Sequence, residues 1–151
     1  MAIIEPGKKF VSTSAQKKGG ELFDHVLASP DSAIFLAQEK NSYIGILTIY
    51  KIPQIRKGGY CAEIEEMFVK KSRQGKGVSQ RLLAAAIQWA RKENIDSIRL
   101  ESSAELKRAH AFYTKAGFTP YGQAFIKHLS KNKKSRLSRS AGNKSTRKRA
   151  E

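Results

Sequence analysis

Val69-Lys-Lys-Ser-Arg-Gln-Gly-Lys-Gly-Val-Ser79 decides the fold: a β-branched and aromatic run stops at Val69, a basic loop with two glycines follows, and a helical apolar spacing begins at Val78. A strand that turns through such a loop straight into a helix is a ready anion site. The first N–H groups of a helix lack intrahelical partners and carry its positive dipole end, so they can donate to phosphate oxygens. Gly75 and Gly77 let the backbone approach a ligand with no Cβ in the way. Two common phosphate loops do not fit. A nucleoside-triphosphate loop needs Gly, four residues, then Gly-Lys-Ser/Thr, which is absent. A dinucleotide fingerprint needs a third glycine, and Gln80 stands in its place.

Outward from the loop, the chain alternates between the two hydrophobic periods. Upstream, Tyr60-Cys-Ala-Glu-Ile-Glu-Glu-Met-Phe-Val69 reads as a strand. In it, apolar Ile64 and Met67 stand three apart, a change of parity that a β-bulge would produce. Downstream, Val78, Leu82, Ala85 or Ala86, and Trp89 mark a buried stripe on a helix over residues 78–93. Residues 95–100 form a strand, and residues 104–116 a second amphipathic helix with Ala109, Phe112 and Tyr113 on one side and Gly117 as its cap. Strand, helix and strand make a crossover unit with parallel strands. Earlier in the chain, residues 33–37 and 43–50 read as a hairpin, Pro53 and residues 56–59 as a loop, and residues 20–29 as a short helix with Leu22, Phe23, Val26 and Leu27 on one face. Residues 118–129 are expected to supply one or two closing strands. The fold class is α+β, with a mixed α/β sheet.

The chain has 151 residues and a formal net charge of +16. Half of that charge lies in residues 131–151, where nine Lys and Arg face only Glu151. From residue 130 onward Leu137 is the sole large apolar residue, too little to offset ordering entropy, so a domain over residues 1–129 is expected to carry a disordered basic tail over 130–151. The single cysteine, Cys61, excludes an internal disulfide and a multi-cysteine metal site, and reads as a small buried strand residue. No metal site is indicated. The opening residues show no basic region followed by a long apolar stretch, and no apolar run would span a bilayer, so a soluble, cytoplasmic protein is expected.

Gln74-Gly75-Lys76-Gly77-Val78-Ser79 resembles the acetyl-CoA loop of the GNAT superfamily of N-acetyltransferases, Gln/Arg-x-x-Gly-x-Gly/Ala, with the small Ser79 in the last place. Some thirty residues on, Ala109-His-Ala-Phe-Tyr-Thr-Lys-Ala-Gly-Phe118 is similar to that family's Ala-x-x-x-Tyr-x-x-x-Gly-Phe element. The order and separation of the two motifs also match, and the resemblance covers residues 20–129. The sequence departs from the family at Leu106, where an asparagine is frequent, and in its short N-terminal part, so the first strand and helices are expected to be reduced or missing.

The resemblance implies an acetyl-CoA-dependent N-acetyltransferase that moves acetyl to a primary amine in one ternary complex, with no Cys-His pair to suggest an acyl-enzyme. It implies that main-chain groups of Met67 and Val69 pair with the pantetheine arm and that the amides of Gln74, Gly75, Lys76, Gly77, Val78 and Ser79 hold the diphosphate. Tyr113 matches the tyrosine that protonates the departing thiolate. The acceptor arrives as an ammonium and needs a base. Glu63, Glu65 and Glu66 are the candidates, and Ala62-Glu63-Ile64 matches the position of the catalytic glutamate in histone-type members, which favours Glu63. Glu65 and Glu66 then become substrate-binding candidates. The expected partners are a small-molecule or peptide amine and no membrane, for a monomer or homodimer. Salt-sensitive binding of nucleic acid or the ribosome by residues 131–151 is a separate reading, as is a member that binds cofactor without turnover.

Overall fold

The computed structural model describes residues 2–3 and 13–129, with side chains from Gly19 onward; the basic tail lies outside the described residues. Its contacts divide into two units, residues 1–119 and 120–151. The first unit holds a mixed sheet in the order β1-β2-β3-β4-β5: Ala2–Ile3, Ser32–Glu39, Ser42–Gln54, Gly59–Val69 and Ser97–Leu100. All neighbours are antiparallel except β4 and β5, which run parallel. Among the described residues three α-helices accompany the sheet: α1 (Thr13–Ala28), α2 (Val78–Lys92) and α3 (Lys107–Lys115). Among the described residues, β1 pairs with β2 through Ala2↔Ala37 and Ile3↔Leu36.

The core forms where α2 crosses the sheet. Leu82, Ala86 and Ala90 recur along one face of α2 and are buried with Leu47 and Ile49 of β3 and Ala62 and Ile64 of β4. Two alanines in that stripe keep the helix close to the sheet, and Gly45 of β3 does the same from below. A Cβ at Gly45 would lie 3.0 Å from Leu82 Cδ1 and 3.1 Å from the Phe68 carbonyl oxygen. On β2 the consecutive residues Ile34, Phe35, Leu36 and Ala37 are all buried. Side chains alternate between faces of a strand, so both faces of β2 are covered there, and α1 lies against it. Cys61 is 1% exposed, as a small strand residue should be.

Four expectations need correction. The helix read as short, over residues 20–29, begins at Thr13 and runs 16 residues to Ala28; along it Phe23 and Val26 are half-buried, while Leu22 is 64% and Leu27 38% exposed. A helix resting on one sheet layer buries a narrow stripe, and the flanks of the apolar set face out. Pro53 belongs to β3, opposite Tyr60, instead of a loop. There β3 has run past β2, whose register ends at Ser32↔Tyr50, so the N–H that proline lacks would have had no β2 partner. The last helix begins at Lys107, three residues later than its pattern suggests. Residues 118–129 form no strand, and Tyr121, Phe125, Ile126 and Leu129 are exposed. Pro120 removes a ladder donor and Gly122, at φ +72°, turns the chain out of the extended region.

Candidate functional site

A fork in the sheet positions the site. β4 pairs with β3 along its whole length to Val69, but with β5 only from Cys61 to Ile64. The parting coincides with the parity change read in the sequence: Ile49 opposes Ile64 and Thr48 opposes Glu66, which leaves Glu65 as the extra residue of a bulge. Bulges bend and twist the strand that carries them. Beyond Glu65 the outer edge of β4 is open on the side β5 has left. Lys70 donates its N–H to the Ile44 carbonyl at 2.8 Å. Because main-chain groups alternate in an antiparallel ladder, Phe68 also faces β3, and the N–H and C=O groups of Met67 and Val69 face the open edge.

The glycine loop follows directly on that edge. After a 3₁₀ turn over Lys71–Arg73, Gly75 and Gly77 take positive φ values of +75° and +80°, and Gly77 is the N-cap of α2. A glycine cap supplies no side-chain acceptor, and no acid stands in the first turn. The N–H of Arg81 is satisfied by the Gly77 carbonyl at 3.2 Å, whereas the N–H groups of Val78, Ser79 and Gln80 precede any intrahelical acceptor. This is the donor set a phosphate requires, with no Cβ at Gly75 or Gly77 to fill the space. The Gln74 amide nitrogen donates to the Val69 carbonyl at 3.1 Å, so that carbonyl already has one donor.

Most of the loop's own cations point elsewhere. Arg73 donates from Nε and Nη2 to Glu39 of β2, and Lys70 Nζ donates to Ser42 Oγ at 3.0 Å. Lys76 and Arg81 line a cleft of about 210 Å³ with Glu39 and Arg73, on the β2 flank of the loop and away from the open edge.

Tyr113 is brought to the open edge by α3. Its hydroxyl lies 4.0 Å from Met67 Sδ, and its ring packs edge-on against Phe112 and Phe118 with centroids 5.2 and 5.7 Å apart. Burial pushes its phenol above the usual value of 10.0, so it stays protonated across the neutral range. The three glutamates part company. Glu63 faces β5, where Arg99 donates from Nε and Nη2 to Oε2 at 2.9 and 2.6 Å, which leaves Oε1 free. That pair raises the Arg99 pKa, chiefly through the hydrogen bond. Glu65 and Glu66 are exposed, and burial followed by their negative charge raises the pKa of Tyr50. Arg99, Tyr50 and Arg108, which donates to Gln74 Oε1 at 3.4 Å, escaped the sequence reading. Arg99 and Tyr50 reach their partners through strand register, and Arg108 reaches the loop across 34 residues of chain.

N-acetyltransferase 8F1 of Rattus norvegicus is 23% identical over 122 residues, covering 81% of this chain and 55% of the relative; its Mus musculus counterpart is 22% identical over the same length. The chain thus spans about half the length of these curated relatives. Among solved structures, a Bacillus halodurans transcriptional regulator superposes with TM-score 0.69 at 19% identity, covering 78% of this chain and 86% of that one. An aminoglycoside acetyltransferase from an uncultured soil sample gives 0.66 at 20%, covering 82% and 78%. An Agrobacterium tumefaciens chain gives 0.69 at 26%, covering 82% and 85%. The acetyltransferase (GNAT) family profile matches residues 7–118, a span that contains the fork, the glycine loop and Tyr113, and the chain belongs to that family.

Proposed function

We propose that the protein is an N-acetyltransferase that binds acetyl-CoA along the open edge of β4 and transfers acetyl to a primary amine in a ternary complex. The observation that carries this is the fork: main-chain groups of Met67 and Val69 that face away from β3 lie between a glycine-capped helix start and a half-buried phenol. Bound there, acetyl-CoA supplies an acetyl group activated as a thioester. The chain's own work is to orient and to move two protons. Met67 and Val69 hold an extended arm as an added strand is held, while the amides from Gln74 to Ser79 hold the diphosphate. A glutamate of β4 takes the ammonium proton. Glu63 offers Oε1, steadied by Arg99 at Oε2, and Glu65 and Glu66 present negative charge to a cationic acceptor. Tyr113 gives its hydroxyl proton to the leaving sulfur, a role suited to a phenol kept neutral by burial.

The test is calorimetric binding of acetyl-CoA followed by thiol release with a panel of aminoglycosides, polyamines and peptide N-termini. Binding with amine-dependent thiol release is the expected result. Binding without release for any amine would leave a cofactor-binding member and end the transferase reading. No binding at millimolar acetyl-CoA would end both.

A further inference from the structure

The loop 70–77 reads as the basic element of the site, yet a cation beside its first glycine, Gly75, comes from another helix. Arg108, in the first turn of α3, is exposed, and its Nη1 donates to Gln74 Oε1 at 3.4 Å. A Cβ built on Gly75 would lie 3.8 Å from Arg108 Nη2. The guanidinium therefore stands beside the positive-φ glycine that starts the cradle. Arg73 is occupied by Glu39, Lys70 by Ser42, and Lys76 lines the cleft on the opposite flank. The described ion pairs engage Lys51, Arg73 and Arg99 and give Arg108 no carboxylate.

We infer that Arg108 is a diphosphate ligand that closes the cradle from the α3 side, facing the amides at the start of α2. This rests on the acetyl-CoA reading above and adds a residue to it. The chemistry fits. A guanidinium is planar, permanently charged and able to present two parallel N–H groups to phosphate oxygens. Gln74 accepts one long hydrogen bond from the guanidinium and also donates to the Val69 carbonyl, so the arginine leans on the loop while Nη2 remains for an oxygen anion. The same bridge would couple α3, and with it Tyr113, to occupancy of the loop.

The experiment uses the full chain and measures dissociation constants for coenzyme A and 3′-dephospho-coenzyme A with the parent, R108A, R108K and Q74A proteins. Arg108→Ala should weaken both ligands about 10- to 100-fold, the range of one charge-assisted hydrogen-bonding group. Arg108→Lys should recover part of that loss, and KM should rise more than kcat falls. Unchanged melting temperatures would confirm that this exposed residue is not needed for folding. Binding by the Arg108→Ala protein within twofold of the parent would overturn the assignment. A loss seen with coenzyme A and absent with the dephospho compound would also overturn it, by placing the guanidinium on the 3′-phosphate. A loss in Gln74→Ala equal to that in Arg108→Ala, with no recovery in Arg108→Lys, would overturn it in favour of a brace acting through the loop. Failure of the parent itself to bind coenzyme A would sink the acetyl-CoA reading, a result separate from all of these.

Discussion

Gly45→Ala is the sharpest test of how α2, the helix that follows the glycine loop, is seated. The added methyl would sit 3.0 Å from Leu82 Cδ1, 3.1 Å from the Phe68 carbonyl oxygen and 3.3 Å from Val69 Cγ2. Neither side chain can yield freely, because Leu82 is 1% and Val69 5% exposed. Overpacking of this kind costs about 1–3 kcal/mol, while replacing glycine in a strand returns roughly 0.5–1 kcal/mol through the unfolded chain. The midpoints of the two ranges leave a net loss of about 1 kcal/mol, or roughly 3–6 °C in melting temperature for a domain of this size. The strain also has a direction. Val69 and Leu82 bracket the loop in sequence, so relief by lifting α2 moves the amides proposed to hold the diphosphate. Acetyl-CoA affinity should therefore fall about tenfold. Thermal melting and calorimetric titration read the two effects independently. A Gly45→Ala protein that melts at or above the parent temperature would refute the packing of α2 on β3, and one that is destabilised yet binds acetyl-CoA normally would refute the link from packing to loop.

Tyr113→Phe should keep acetyl-CoA binding and lower kcat about 10²- to 10⁴-fold, as expected for loss of a positioned acid, and steady-state kinetics would show no such drop if the tyrosine only packs. Because burial raises its pKa in the folded protein, the folded state holds the proton more tightly than the unfolded chain. Stability should thus fall as pH climbs through about 10 toward the raised value, and melting the Tyr113→Phe protein across that range should show a weaker fall. Among Glu63→Gln, Glu65→Gln and Glu66→Gln, the variant lacking the base should lose rate at neutral pH and regain it as pH rises and the amine deprotonates unaided. We expect Glu63→Gln to show this in a pH–rate profile, with well under about 1 kcal/mol lost in stability, since its ion pair is partly solvated. Equal profiles for all three would remove the β4 glutamates from proton transfer.

Much of this architecture is legible in local pattern. The 3.6-residue stripe of α2 and the alternation of the strands on either side announce a crossover, and the spacing of Ile64 and Met67 places the bulge at which the sheet forks. The glycine loop is visible because its requirement is local: positive φ at positions 75 and 77. What stays hidden depends on partners distant in sequence. The Arg99–Glu63 pair exists because parallel register sets residues 63 and 99 side by side. Arg108 meets Gln74 because α3 folds back over a loop 34 residues earlier. The missing closing strand is a different failure. Residues 118–129 have strand-like composition, but pairing is a property of two segments, and Pro120 and Gly122 interrupt this one.

The surplus residue of β4 has a consequence for how such a site can be lost. Deleting Glu65 would restore strict alternation, with Ile64 and Met67 still on the core side, so the apolar layer would scarcely register the change. The two parallel strands could then zip together past Ile64 and shut the slot that the wedge of one residue now props apart. A domain lacking position 65 should therefore fold and melt much as the parent does while accepting no thioester arm.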